Sequence, residues 1–315
     1  MQSPLLQSII IISVLASTLR IATPLLLAAM GELVVEHSGV FNLGIEGMVL
    51  TGAYFAFLVA YDTHSLTLAT IAAILAGGAV GAILAFFVTT LKADQTVSGL
   101  ALNLLASGVT LFWYRVKFGD LDVSTIPTVT TTPIVEVPVL SDIPVLGDIF
   151  FSQRLLTYIA FLLVPLVAVM LYRTRIGLAI RSLGENPRAV DMRGLNVVRL
   201  QWSALIFGGM MAGLGGSFLS IGTTVRFIPE MSAGRGFLAL VLLIAGSWKP
   251  GRILLVALLF AALDAGQLQL QGIGVQNVPY ELLLALPYLF AILILLGSSS
   301  RSAAPKSLGV PYRRG

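Results

Sequence analysis

The side chains in this sequence that could bind a solute are a few amides and carboxylates placed inside long apolar runs. Asn42 and Glu46 lie in a glycine-rich stretch, while Asn103 and Gln267 lie in two later runs. Polar groups are costly in lipid and must therefore face protein or water. An amide both donates and accepts hydrogen bonds, which suits the hydroxyl and ring-edge groups of a neutral polar molecule. We predict that these four residues line a solute pathway, with hydrogen bonding between helices as the alternative.

Glu46 has a second candidate role because glycines surround it. Gly44 and Gly47 favour either a break in the helix or very close packing. At a break, the Glu46 carboxylate would accept hydrogen bonds from freed backbone N–H groups and fix the broken helix. A further alternative treats Glu46 and Asp264 as proton relays or ion ligands of a secondary transporter.

The elements that carry these side chains are predicted to be membrane-spanning helices. Hydrophobic residues make up 57% of the 315-residue chain and charged residues 11%, and the mean hydropathy is +0.95. Soluble domains average about 25% charged residues. The apolar runs are suited to helices that cross a bilayer, which need roughly 20 residues. They occupy 5–31, 40–60, 66–91, 96–114, 154–172, 203–222, 236–247, 253–271 and 281–297.

These runs predict an all-α polytopic membrane protein with about nine spans and at least one broken helix. The first run contains Arg20 and Pro24 and is long for one span, so two shorter helices would bring the number to ten. The two options put the N-terminus on opposite sides of the membrane. We expect a single transmembrane domain over 1–300 and a basic tail over 301–315.

The distribution of charge predicts which connections lie on which side of the membrane. The connection 118–153 carries five acidic residues and no Lys or Arg, and its β-branched, proline-spaced stretch favours extended structure. The segment 173–201 carries six arginines against Glu185 and Asp191. Cytoplasmic loops are rich in Lys and Arg. We therefore predict that 118–153 is external, and that 173–201, the C-terminal tail and a connection at Glu32–Ser38 are cytoplasmic.

The segment 173–201 is predicted to contain two short helices. Gly184 favours the end of the first, and Pro187 suits the first turn of the second. A basic pair of helices between apolar runs is suited to docking another protein. An ordinary cytoplasmic loop is the alternative.

The sequence contains no pattern for catalysis or for a bound cofactor. It has no cysteine, its two histidines (His37 and His64) lie apart, and no Gly-Lys pair is present for a phosphate-binding loop. We expect no metal site, no cofactor and no enzymatic activity in this chain, which would not hydrolyse ATP by itself. The net charge of +4 comes from groups clustered at the ends of apolar segments, so we expect no nucleic-acid partner.

Five stretches of the sequence together resemble a known family. They are GELVVEHSGVFNLGIEGMVLTGAYFAF, ADQTVSGLALNLL, GLAIRSLGENPRAVDMRGLNV, SAGRGFLALVLLIAGSWKPG and ALDAGQLQLQ. As a set they resemble the permease subunit of ATP-binding-cassette (ABC) importers for ribonucleosides and simple sugars, in the branched-chain amino acid and ribose permease superfamily. The resemblance covers nearly the whole chain, and it is greatest to the shorter of the two permeases that nucleoside importers pair together.

The resemblance implies partners and roles for this chain. A second, homologous permease would complete a heterodimer in the prokaryotic cell (inner) membrane. Two cytoplasmic ATPase subunits would bind ATP, and an external lipoprotein or periplasmic protein would deliver the solute. The residues implied to form the coupling segment that docks on an ATPase are Gly184, Glu185, Asn186 and Pro187, beside which Arg188 is a further surface charge.

The solute implied by the resemblance and by the scarcity of charge is a neutral nucleoside. An ionised solute would require a paired counter-charge at membrane depth, where the chain has few charges. A simple sugar of the ribose or galactose type is one alternative solute. An ion-coupled secondary transporter is the alternative mechanism.

Overall fold

The computed structural model describes residues 4–119, 127–273 and 304–313, together with six positions between 285 and 293. Within this described part the helices are α1 (Pro4–His37), α2 (Ile45–Thr63), α3 (Leu66–Ala85), α4 (Gln95–Phe118), α5 (Leu155–Arg173), α6 (Arg175–Glu185), α7 (Pro187–Met192), α8 (Val197–Ser217), α9 (Arg235–Ala245) and α10 (Pro250–Ile273). Two short strands are β1 (Ile134–Glu136) and β2 (Ser152–Arg154). Turns of π-helix occupy Phe86–Thr90, Gly147–Phe151 and Phe218–Thr224.

Seven helices in the described part of the chain are long and apolar enough to cross a bilayer. They cover Ile11–His37, Ile45–Thr63, Leu66–Thr90, Gln95–Phe118, Leu155–Arg173, Val197–Thr224 and Pro250–Gly272. The 11-residue α9 is a shorter apolar helix. The prediction of an all-α polytopic membrane protein is confirmed. The predicted span 281–297 falls largely outside the described residues.

The first apolar run forms the single helix α1 rather than two helices, with Pro24 inside it. α1 also continues beyond the predicted end of the run, as far as His37. Our prediction of a connection at Glu32–Ser38 was therefore wrong. Packing explains the extension, because Glu32 and Glu36 are buried against the rest of the bundle. α1 makes one crossing, so its two ends lie at opposite ends of the bundle.

Close contacts between glycine-rich helices build the core. α3 and α8 meet backbone to backbone, since a Cβ at Gly77 would overlap the carbonyl oxygen of Gly209, and a Cβ at Gly209 would overlap that of Gly77. A Cβ at Gly213 would likewise overlap the carbonyl oxygen of Ala73. These contacts are small-residue packing within the glycine-rich run from Gly208 to Gly222. Lipid supplies no hydrophobic force between helices, so close packing of this kind holds the bundle together.

The predicted external and coupling segments lie at opposite ends of the bundle, because the 19-residue α5 separates them. At one end, β1 and β2 pair antiparallel, with Ile134 opposite Arg154. The rest of 127–153 consists of stretches without regular structure, turns and the π-helical turn Gly147–Phe151, and residues 120–126 lie outside the described part. At the other end lie the end of α1, helices α6 and α7, and residues 304–313, whose Gly309 N donates to Gly39 O.

Gly209→Ala is expected to destabilise the protein. The added methyl group would push α8 away from α3, and overpacking of this kind costs about 1–3 kcal/mol. The matched control is Gly108→Ala in α4, where the described residues place no atom within 4 Å of the added carbon apart from the local helix backbone. The measurement is the thermal unfolding midpoint of each purified variant in detergent. Equal midpoints for the two variants would contradict a close α3–α8 contact.

Candidate functional site

A non-helical segment separates α1 from α2, and we call it the interruption before α2. The predicted pathway residue Asn103 holds this segment in place. Residues 38–44 are non-helical. Asn103 donates from Nδ2 to Leu43 O at 2.7 Å and accepts at Oδ1 from Gly47 N at 2.8 Å. Asn103 follows Gln95, the first residue of α4, by eight positions, which is about 12 Å along a helix. α2 therefore begins inside the bundle rather than at its end.

Asn42 lies in the same interruption and is fully buried. Its Oδ1 accepts from Gly44 N at 3.0 Å, and its Nδ2 donates to Glu32 Oε2 at 2.7 Å. Both ends of the amide are thus bound by the protein itself. In this conformation the Asn42 side chain supports the turn into α2.

A second interruption precedes α9. Phe227 is fully buried against Tyr54 of α2, with ring centroids 5.2 Å apart. Further along the chain, Gly234 N donates to Glu46, which lies eight positions before Tyr54 on α2. Eight helical positions span about 12 Å, so the connection descends by this distance into the bundle. The 11 residues of α9 extend only about 16 Å, which is too short to cross a hydrocarbon core of roughly 30 Å.

The carboxylate of Glu46 binds the start of α9 with both oxygens. Oε1 accepts from Gly234 N at 2.8 Å, and Oε2 accepts from Gly236 N at 2.7 Å. The first N–H groups of a helix have no partner within the helix, and the positive end of the helix dipole favours an anion. Gly236 is required at this contact, because a Cβ there would lie 2.6 Å from Glu46 Cα. We predicted that Glu46 accepts from freed N–H groups, and in the structure those groups belong to α9 rather than to α2.

A cavity of about 220 Å³ lies beside the start of α9. Its polar lining comes from Arg235 of α9 and from Asp264 and Gln267 of α10, and α1 contributes the apolar side chains of Ile21 and Leu25. Gln267 is 3% exposed. Because Arg235 and Asp264 carry opposite charges and line one cavity, an uncharged molecule could occupy it without an unmatched charge beside it.

The structure divides the four predicted pathway residues between two places. Asn42, Glu46 and Asn103 gather at the start of α2, while Gln267 lies at the cavity. Arg235 lies next to both places: it lines the cavity, and the residues on either side of it, Gly234 and Gly236, donate to Glu46. Sequence analysis missed Arg235. It directly precedes an apolar run, where an arginine resembles an ordinary charge flanking a span.

The far end of α9 is held by a buried carboxylate of α1. Trp248, in the turn between α9 and α10, donates from Nε1 to Glu36 Oε2. Glu32, one helical turn earlier, accepts from Asn42. These two glutamates therefore connect α1 to the α9–α10 turn and to the interruption before α2. Sequence analysis missed both, because it placed them in a connection between spans.

The basic segment after α5 folds into the two short helices that Gly184 and Pro187 predict. α6 ends at Glu185, and Pro187 is the first residue of α7. Between them, Asn186 caps α7 by accepting at Oδ1 from Ala189 N at 3.2 Å. The break is therefore stabilised locally, as expected for an amide that precedes a helix.

We call Gly184–Arg188 the coupling corner. Its Glu185, Asn186 and Arg188 are exposed, whereas Gly184 is buried. A Cβ at Gly184 would overlap the carbonyl oxygen of His37, the last residue of α1. The coupling corner thus exposes polar groups at the surface and packs directly on the end of α1.

Comparison with known proteins identifies the family. Residues 14–296 match the family described as branched-chain amino acid transport system, permease component. The chain belongs to this family of permeases.

The permease is similar to named relatives along almost its whole length. It is 36% identical to the guanosine ABC transporter permease protein NupQ of Bacillus subtilis, over 96% of this chain and 97% of the relative. Identity is also 36% to a putative glucose ABC transporter permease protein, TsgC13, of Haloferax volcanii, over 95% and 97%. The chain is 32% identical to the nucleoside ABC transporter permease protein NupC of Lactococcus lactis, over 95% of this chain and 96% of the relative. No solved structure matches the chain.

Glu46→Gln is expected to destabilise the permease by roughly 1–3 kcal/mol, because the amide nitrogen cannot accept and would leave one N–H group of α9 unpaired. The measurement is the unfolding midpoint in detergent. The control is Glu136→Gln in β1, where the side chain is exposed and no loss is expected. If Glu46→Gln unfolds at the same midpoint as the unaltered permease, Glu46 does not hold α9.

Proposed function

We propose that this permease pairs with a second, homologous permease to form the membrane pathway of an ABC importer for neutral nucleosides. The observation that carries the proposal is the similarity along nearly the whole chain to permeases named for guanosine and for nucleosides. Two nucleoside permeases of Lactococcus lactis, NupC and NupB, match the chain at 32% and 24% identity. The presence of two different matching permeases in one organism favours a heterodimer. In that heterodimer this chain would correspond to NupC, the more similar of the two.

In this proposal separate ATPase subunits dock at the coupling corner on the cytoplasmic side. The excess of arginine over acidic residues in 173–201 supports this orientation. The connection 118–153 is then external, since α5 separates the two segments. It offers an external binding protein a surface at the opposite end of the bundle. The C-terminal tail, which lies beside the coupling corner, is cytoplasmic as well.

Alternating access would use the contacts at both ends of α9. Movement of the coupling corner displaces the end of α1, because Gly184 packs on His37. α1 holds the α9–α10 turn through the bond between Glu36 and Trp248. Glu46 holds the start of α9, so a shift of α9 relative to α2 would open or close the space at that point. ATP must favour one of the two arrangements for the cycle to run in one direction.

A neutral solute is supported by the way in which charges inside the bundle are matched. Two backbone N–H groups bind Glu46, and Arg235 lines the same cavity as Asp264. Gln267 offers a donor and an acceptor to a hydroxyl or to a base edge. In this proposal Asn42 and Asn103 act by shaping the interruption before α2.

A simple sugar is the second candidate solute, because the relative named for glucose is as similar as the one named for guanosine. An ion-coupled secondary transporter has less support. In that mechanism Glu46 would exchange a proton or an ion, yet both of its oxygens are bound by the backbone of α9.

Gln267→Leu is expected to lower ATP-driven uptake of nucleosides by about tenfold or more without preventing assembly, because a site built for hydrogen bonding discriminates strongly when one partner is lost. The measurement is uptake of guanosine, uridine and glucose by the reconstituted importer. The matched control is Gln269→Leu, two positions along α10 and on another face of the helix.

Two results would contradict the proposal. Uptake driven by a proton gradient in the absence of ATP would show that the protein is an ion-coupled secondary transporter instead. A preference for charged amino acids over both nucleosides and sugars would exclude the proposed solute.

A further inference from the structure

Residues 304–313, which we call the tail, are bound along the two helices of the coupling segment. Ser307 N donates to Gly184 O at 2.8 Å, and Ser307 Oγ donates to the same oxygen at 2.5 Å and to Leu183 O at 3.0 Å. Tyr312 OH donates to Asp191 Oδ2 at 2.9 Å. The tail therefore contacts the last turn of α6 with one part and α7 with the other.

The tail also binds the end of α1. Gly309 N donates to Gly39 O at 3.2 Å. A Cβ at Gly39 would lie 2.9 Å from Ser307 Oγ, and φ at Gly39 is +82°, so glycine is needed for this approach. The tail thus joins the coupling corner to α1 at the point where Gly184 already packs on His37.

A groove of about 310 Å³ is lined on one side by the coupling corner and on the other by the tail. One wall consists of corner residues that include Glu185 and Arg188, and the other consists of tail residues that include Val310 and Arg313. Glu185 lies 3.7 Å from the exposed ammonium group of Lys306. The groove therefore presents two exposed guanidinium groups, while its one carboxylate lies beside a cation.

A second groove, of about 440 Å³, is also lined by Tyr312. Lys92 and Arg199 line it, together with Asp191, whose carboxylate binds Tyr312. Tyr312 of the tail therefore lines two grooves whose charged side chains are mainly basic. Basic grooves of this kind favour a protein surface that carries acidic side chains, because charge complementarity steers and orients association.

We propose that the tail is part of the docking surface for the ATPase subunit: it supplies one wall of the groove at the coupling corner and fixes the corner to α1. This inference rests on the proposed function. The ATPase would insert acidic side chains between Arg188 and Arg313. Because the tail contacts both the corner and α1, a movement of the docked ATPase would displace the two together.

The test measures binding of the separately purified ATPase subunit to the permease pair in nanodiscs. In one variant the chain stops after residue 303, and in another Arg313→Glu reverses an exposed charge of the groove. Both are expected to weaken binding by about tenfold, because charge-assisted contacts to the ATPase are lost. The matched control is Arg252→Glu, an exposed arginine that lines neither groove. Its effect should stay within about twofold, as for an exposed charge outside the docking surface.

The outcomes separate this inference from the proposed function. If the unaltered permease binds the ATPase and ATP drives uptake, but both tail variants bind as well as the unaltered chain, the tail is not part of the docking surface. Equal weakening by Arg313→Glu and Arg252→Glu would also overturn the inference, since the effect would then reflect net charge alone. If the unaltered permease neither binds the ATPase nor responds to ATP, the proposed function itself fails. If the shortened chain does not fold, Arg313→Glu still tests the inference, because Arg313 is exposed and its substitution leaves the packing of the chain unchanged.

Discussion

The contact between the Glu46 carboxylate and the start of α9 is the interaction on which the rest of the membrane domain depends. A helix that begins inside an apolar bundle has N–H groups without partners in a region where water does not satisfy them. Glu46 supplies two acceptors from a single side chain, at 2.8 and 2.7 Å. With these groups bound, α9 can begin partway through the bundle, which brings Arg235 to the wall of the cavity.

The same contact links the two interrupted helices of the permease. Glu46 is the second residue of α2, so the first turn of α2 meets the first turn of α9. Interrupted helices in transporters place the positive ends of helix dipoles near polar solutes. In this conformation a carboxylate of the protein itself binds one such end. The far end of α9 is joined to α1 through Trp248, and α1 packs against the coupling corner, so one short helix connects the interior of the bundle with its surface.

The sequence allowed prediction of those features that depend on neighbouring residues. Long apolar runs predicted the spans, and the break from Gly184 to Pro187 predicted the corner between α6 and α7. The partners of the polar groups could not be predicted, because they lie far away along the chain. Asn103 accepts from the backbone N–H of Gly47, and Glu46 accepts from the backbone N–H of Gly236. The extension of α1 to His37 was missed for the same reason, since distant side chains bury its last turns.

We propose that α9 moves when ATP, bound by the ATPase subunits, drives a movement of the coupling corner. The most direct test uses the absence of native cysteine and introduces Ala233→Cys at the exposed edge of the cavity, beside the start of α9. The measurement is the rate of labelling by a water-soluble thiol reagent in the assembled importer, with and without a trapped ATP analogue. We predict clearly different labelling rates in the two states. Equal rates, in an importer that otherwise transports its solute, would contradict it.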